Sequence, residues 1–140
     1  MTKIRTGNLP HLNIPRVKVP PEEASLVFSF KHLDLYTNKK FCISRCKSGY
    51  LDKFLCRLRD LSPISVKAFR ANISKALRIH QIDWAKTTET SGFSCLNTQL
   101  RGHEAWQFEI TANEHGRVHG LLIDGTFFVV WIDPCHLLFK

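Results

Sequence analysis

Four side chains in the C-terminal part of the chain, Glu109, Arg117, His119 and His136, combine the residue types that phosphodiester cleavage requires. A carboxylate or an imidazole can remove a proton from a ribose 2′-hydroxyl, and an imidazole can protonate the leaving 5′-oxygen near neutral pH. An arginine presents a planar fork of donors that matches a phosphate group. This scheme needs no metal ion or other cofactor, provided that the four side chains lie together.

Three consecutive strands, predicted over residues 106–113, 117–123 and 126–132, must position these side chains. A three-residue break closed by a glycine separates the first two, and the pair Asp124-Gly125 separates the last two. Asp-Gly between two apolar runs is typical of a two-residue hairpin, because both turn positions need a positive φ. The sequence therefore predicts an antiparallel meander with a fixed register.

This register places Arg117 opposite Ile132, and Glu109, Arg117 and His119 on one face of the sheet, because side chains alternate with period two. Since a proline ends the last strand, we expect His136 to lie near the start of the strand that carries Arg117. We expect this polar face to be open. The other face is predicted to be the core face: Trp106, Phe108, Ile110, Ala112, Val118, Gly120, Leu122, Phe127, Val129 and Trp131.

The first half of the chain predicts one strand and two helices. Residues 25–33 alternate like a strand, and residues 50–61 and 66–80 carry apolar stripes at helical spacing. The stripe of the first helix comprises Leu51, Phe54, Leu55, Leu58 and Leu61, and Ser65 is predicted to cap the second helix. The predicted order is β-α-α-β-β-β, an α+β fold in which two helices pack on one face of an antiparallel sheet. Residues 1–25 are basic and contain four prolines, which predicts an N-terminal arm, and residues 26–140 are predicted to form a single domain.

The charge is unevenly distributed. Residues 1–86 hold 17 Lys and Arg against 6 Asp and Glu, whereas residues 87–140 hold 3 against 6. A basic block of this size favours a polyanion such as nucleic acid as partner, and its alternative explanation is solubility alone. The residues predicted to bind phosphate lie on the two helices: Lys53, Arg57, Lys67, Arg70, Lys75 and Arg78.

The five cysteines do not suggest a disulfide framework, since their number is odd and their spacing irregular. Cys42, Cys46 and Cys56, with His32, have the residue types of zinc ligands, but no second close pair follows, so the favoured interpretation is that these cysteines are small apolar residues. No apolar run approaches the length of a membrane span, and the N-terminal residues lack the apolar region typical of a secretory signal. A cytoplasmic protein without membrane contact is therefore expected.

The predicted element order, the basic helices and the ending RVHGLLIDGTFFVVWIDPCHLLF resemble the RelE/ParE-like toxin superfamily of bacterial toxin–antitoxin systems. This resemblance, over residues 26–140, implies a microbial-ribonuclease-like fold. In the RelE and YoeB branch it implies metal-independent cleavage of messenger RNA on the ribosome, and a cognate antitoxin as partner. It assigns Arg117 to the scissile phosphate, His136 to leaving-group protonation and Glu109 to the carboxylate base. From the residue types on the predicted face, we expect His119 or Glu109 to act as base or orienter.

The sequence therefore predicts a ribosome-dependent endoribonuclease toxin, and two other classes stay open. One is a nucleic-acid-binding protein without catalysis. The other is a protein-interaction module, such as a gyrase inhibitor or a phage-defence component. A structural explanation also stays open for the site residues: Arg117 as an ion-pair partner of Glu109 or Asp133, and His136 as a hydrogen-bond partner of Asp133.

Overall fold

Five strands form one sheet in the computed structural model, which describes residues 22–71, 77–112 and 114–139. The predicted arm lies outside the described residues except for residues 22–25. The order across the sheet is β1-β5-β4-β3-β2. The strands are β1 (Val27–Ser29), β2 (His80–Gln81), β3 (Ala105–Glu109), β4 (Arg117–Ile123) and β5 (Thr126–Asp133).

The α+β class is confirmed, but the prediction of a purely antiparallel sheet is wrong. β1 runs parallel to β5, with Val27 opposite Thr126, while the other three pairings are antiparallel. A hairpin forces its strands to be antiparallel, whereas the chain leaves β1 through helices and returns only later. No turn residue therefore fixes the direction of β1, and the sheet is mixed.

The predicted turn between β4 and β5 is confirmed. Asp124 and Gly125 have φ values of 49° and 82°, and Ile123 pairs with Thr126. Two consecutive positive φ values are the conformation of a type I′ turn, whose twist matches the flanking strands.

An irregularity between His119 and Gly120 shifts the register of β4 against β5 by one residue. Arg117 therefore faces Asp133, and the predicted pairing with Ile132 is wrong. A Cβ atom at Gly120 would lie 2.2 Å from the carbonyl oxygen of Phe128, so glycine permits this close approach. A one-residue shift exchanges the two faces of a strand. Trp131 therefore lies on the polar side, contrary to prediction, and Ile132 lies on the core face.

The helices are α1 (Tyr50–Leu61), α2 (Val66–Arg70) and the short α3 (Thr98–Arg101). The Ser65 hydroxyl accepts a hydrogen bond from the Ala68 amide and caps α2 as predicted. The extension of this helix to residue 80 is wrong, because residues 80–81 form β2. None of the helices in the described ranges has the length and apolar character needed to span a bilayer.

The main core lies between α1, α2 and one sheet face, where Phe54 and Phe69 pack with Phe108 and Phe127. The predicted stripe of α1 is partly wrong. Tyr50 is buried in it, but Leu51 and Leu55, which were expected to pack inward, are exposed.

The expectation of an open second face is also wrong. A second apolar cluster covers much of it, contributed by the loop before α1, the segment before β3 and the C-terminal segment. The ring of Phe41 stacks on Trp131 at 4.5 Å, and the Phe93 ring meets Trp131 edge-on at 4.8 Å. The Trp131 indole N–H donates to Asp34 across 3.0 Å. The polar residues of this face are therefore largely buried beneath these side chains.

Candidate functional site

Two neighbouring rows of side chains cross the sheet on the face away from α1 and α2. In the first row, His80 pairs with Gln107, Gln107 with His119, and His119 with Trp131. In the second row, Glu109 pairs with Arg117, and Arg117 with Asp133. Because the rows lie two residues apart along β3, β4 and β5, both point to the same face. The sheet thus brings together three of the four predicted catalytic side chains.

His80 ends the first row at the edge of the sheet, where it is exposed. Its Nε2 atom lies 2.7 Å from the Gln107 side-chain nitrogen, and its Nδ1 atom lies 3.1 Å from the Gln81 carbonyl oxygen. Since the amide nitrogen can only donate and the carbonyl can only accept, the proton is assigned to Nδ1. His80 was predicted to lie on a helix, because a strand of two residues leaves no periodic signal in the sequence.

His119 and Asp133 form a fully buried pair, in which the His119 Nε2–H donates to the Asp133 carboxylate across 3.1 Å. Burial lowers the pKa of His119, and the hydrogen bond to Asp133 only partly offsets this effect. Burial alone would raise the pKa of Asp133, but the hydrogen bond from His119 and those from the Leu137 and Leu138 amides lower it overall. A neutral imidazole therefore faces an ionised carboxylate.

Asp133 also organises the chain that follows β5. Its carboxylate accepts the Leu137 amide at 2.8 Å and the Leu138 amide at 3.0 Å. This turn carries His136, which has a left-handed backbone with φ of 55°. The Nε2 atom of His136 is buried and has no hydrogen-bond partner among the described residues. His136 belongs to the same end of the sheet through Asp133, although no ion pair or hydrogen bond within the described ranges joins it to Glu109 or Arg117.

Glu109 lies between two arginines. One of its oxygens is 3.6 Å from the Arg78 Nε atom and 3.6 Å from an Arg117 terminal nitrogen. The side chain of Glu109 is 2% exposed, that of Arg117 19% and that of Arg78 62%. Both distances exceed the length of a hydrogen bond, so the three groups attract one another without sharing a proton. Arg117 also lies over the Phe139 ring, 5.9 Å from its centroid.

The predicted phosphate-binding residues of the helices do not form one set. Lys53 and Lys67 are exposed, but the Arg57 guanidinium donates to the Ile110 carbonyl at 2.9 and 3.1 Å and anchors the end of β3. Arg70 forms ion pairs with Glu22 and Glu104.

Two predicted residues of this set do not lie on a described helix. Arg78 has a left-handed backbone, with φ of 44°, and forms an ion pair with Glu109 instead of lying on a helix. Lys75 falls outside the described residues.

The cysteines and the histidine named as a weak zinc-site candidate do not form a metal site in the described residues. In the ranges that the structure describes, no group of three or more His, Cys, Asp or Glu side chains is arranged to hold a metal ion. The cysteines of those ranges are free thiols.

Comparison of the chain with protein-family models, with curated proteins and with solved structures finds no match.

Proposed function

We propose that this protein is a toxin that cleaves messenger RNA on the ribosome in the cytoplasm without a metal ion, and that a cognate antitoxin restrains it. The residue types at this end of the sheet support the reaction class, and the resemblance of the sequence supports the ribosomal substrate. The site is the group of Glu109, Arg78 and Arg117, with His80 and His136 beside it.

The main support for this proposal is that buried polar atoms of two neighbouring side chains, Glu109 and Arg117, both lack hydrogen-bond partners among the described residues. The Glu109 Oε1 atom and the Arg117 Nε atom are buried and have no hydrogen-bond partner in the described ranges. Buried polar groups in folded proteins are nearly always paired, and an unpaired one calls for an explanation such as a catalytic role or a bound ion or water. A phosphate group would satisfy the arginine donors, and a ribose hydroxyl would satisfy the carboxylate.

In the proposed reaction Glu109 removes the proton of the ribose 2′-hydroxyl, which then attacks the adjacent phosphorus. Arg117 and Arg78 donate to the phosphoryl oxygens as negative charge develops on them. His136 supplies a proton to the leaving 5′-oxygen through its unpaired Nε2 atom. The exposed side chain of Arg78 swings from Glu109 onto the phosphate when RNA binds.

His119 takes the positioning role in this scheme. The His119 side chain is fully buried, and the Phe41 ring lies edge-on to it at 6.0 Å. The imidazole of His119 therefore cannot contact RNA. Its contribution passes through Asp133, which holds the Leu137 and Leu138 amides and thereby the turn that carries His136. Lys53 and Lys67 supply exposed charge for ribosomal RNA, whereas Arg57 and Arg70 serve the fold.

Expression in bacteria, together with cleavage of messenger RNA on purified ribosomes, tests the proposal. The wild type should arrest growth and cut RNA, whereas Glu109→Gln and His136→Ala should do neither. Arg59→Ala is the matched control, because Arg59 is exposed and pairs only with its neighbour Asp60 in the described part of the chain. RNA that stays intact with folded wild type, or is cut equally by Glu109→Gln, would refute the catalytic claim.

Binding of RNA without cleavage is the second candidate. The burial of Glu109 favours it, since a base must reach its proton. In this case RNA should bind with an affinity that falls linearly with salt on logarithmic axes, and the RNA should stay intact. Glu109→Gln would then leave binding unchanged or strengthen it, because it removes a negative charge from the phosphate site.

A further inference from the structure

An apolar groove of about 440 Å³ lies on the α1 side of the sheet, on the face of β5 opposite the two polar rows. Its walls come from the segment after β1, from the turn before α1 and from the first turns of α1, and Ile132 lies at its base. Most of the lining side chains are apolar: Phe30, Leu33, Ile43, Cys46, Tyr50, Leu51, Phe54 and Ile132.

The rim of this groove exposes large apolar side chains that the fold does not bury. Leu51 in the lining is 65% exposed, and Leu55, which follows one turn later on α1 just outside the lining, is 53% exposed. Phe30 and Ile43 on the facing wall are 46% and 47% exposed. Single exposed apolar residues are ordinary, but a contiguous group around a concave surface marks an interaction site. α1 thus packs one apolar stripe on the sheet and leaves a second one without a partner among the described residues.

The segments that line the groove are basic. Residues 30–33 and 43–54 carry Lys31, Arg45, Lys47 and Lys53 against the single acid Asp52, and all five side chains are exposed. A ligand that fits must therefore be apolar where it enters the groove and acidic where it meets the rim. An RNA strand has the charge but lacks the apolar side chains to fill the groove. An amphipathic protein helix supplies both features, and grooves of this kind bind such helices through residues spaced i, i+3, i+4 and i+7.

We propose that this groove is the docking site for an acidic amphipathic helix of another protein, with Leu51, Leu55 and Phe30 as the contacts for its apolar face. The inference does not depend on RNA cleavage. The groove and the Glu109–Arg117 pair lie on opposite sides of the sheet, so variants of one leave the other intact.

A displayed library of helical peptides tests the proposal on the full chain. The library fixes leucines at positions i, i+3, i+4 and i+7 and draws every other position from Glu, Lys, Gln and Ala. Selection against the wild type should enrich Glu over Lys, and the enriched peptides should lose at least about tenfold in affinity towards Leu51→Ser/Leu55→Ser. Tyr36→Ser is the matched control, because Tyr36 is an exposed aromatic residue that does not line the groove.

Circular dichroism establishes that the double variant is folded, which is expected because both leucines are exposed. Three results would overturn the proposal: enrichment of Lys, no enrichment of either charge, or equal binding to the wild type and the double variant. Sedimentation velocity and flotation with anionic vesicles address the other occupants. Self-association that the double variant abolishes would show that the groove binds a second copy of the chain. Vesicle binding that the double variant abolishes would show that it binds a lipid surface. Either result would overturn the proposed protein helix.

Discussion

The Nε2–H of His119 donates to the carboxylate of Asp133 across 3.1 Å in the interior of the protein, with both side chains fully buried. The same carboxylate accepts the amides of Leu137 and Leu138. A single charged group therefore joins the central strand β4 to the segment after β5. Because the burial that lowers the pKa of His119 depends on folding, this pair links stability to pH.

We predict that the free energy of unfolding falls as the pH drops from about 7.5 to 5.5. The pKa of His119 is lower in the folded state than its ordinary value of 6.5. The unfolded chain therefore takes up this proton first, and the stability present above pH 6.5 is lost below it. Arg117 and His80 act in the same direction as burial, whereas Asp133 opposes it. One proton contributes a slope of at most about 1.4 kcal/mol per pH unit.

Urea unfolding at a series of pH values measures this slope. His119→Gln should be less stable than the wild type at neutral pH, and its stability should vary less over the same window. His103→Gln is the control, because His103 is exposed and should leave the slope unchanged. The same slope in His119→Gln as in the wild type would show that another group is responsible.

Replacement of Asp133 by Asn should destabilise the protein by about 3 kcal/mol, because it weakens a buried charged network with three donors. Asp124→Asn is the matched control. Asp124 is exposed in the turn after β4 with φ of 49°, a conformation that Asn tolerates. Chemical denaturation should place the control within about 0.5 kcal/mol of the wild type. Equal losses for the two variants would contradict the assigned role of Asp133.

Gly120→Ala should be among the most damaging single-methyl changes in the sheet. The added Cβ would meet the Phe128 carbonyl oxygen at 2.2 Å and the Phe127 ring at 2.6 Å, so the irregularity in β4 could not persist. We expect a loss of about 3 kcal/mol or a chain that fails to fold. Gly102→Ala is the control, because the nearest atom there lies at an ordinary 3.5 Å. Thermal unfolding compares the two, and a stable Gly120→Ala protein would contradict the close approach.

The features that could be predicted from the sequence are those that local residue types determine. Asp124-Gly125 identified the turn, and Ser65 identified the start of α2. The irregularity at Gly120 depends instead on a contact with β5, so the shift that pairs Arg117 with Asp133 left no local signal. The polar face was likewise expected to be open, because polar residues at period two usually face water.

The apolar side chains that cover this face come from segments distant in the sequence, so the period-two pattern of the strands could not predict them. Phe41 and Phe93 both lie far before Trp131 in the sequence, and no residue pattern near either of them predicts the contact. The same limit applies to the site. Glu109 and Arg117 were placed together by strand register, whereas Arg78 joined them only through the path of the chain before β2.

The sharpest test of the proposed site separates charge from geometry at Arg117. Arg117→Lys keeps the positive charge beside Glu109, so the fold should lose little, but it removes the fork of donors that matches a phosphate. If Arg117 stabilises the transition state, cleavage should fall by about 100-fold or more. Arg117→Ala is a poorer variant, because it removes one of the two cations beside the buried Glu109. Single-turnover cleavage on ribosomes, read beside the unfolding midpoint, distinguishes the outcomes. Arg117→Lys with unchanged cleavage would leave the arginine a purely structural partner of Glu109.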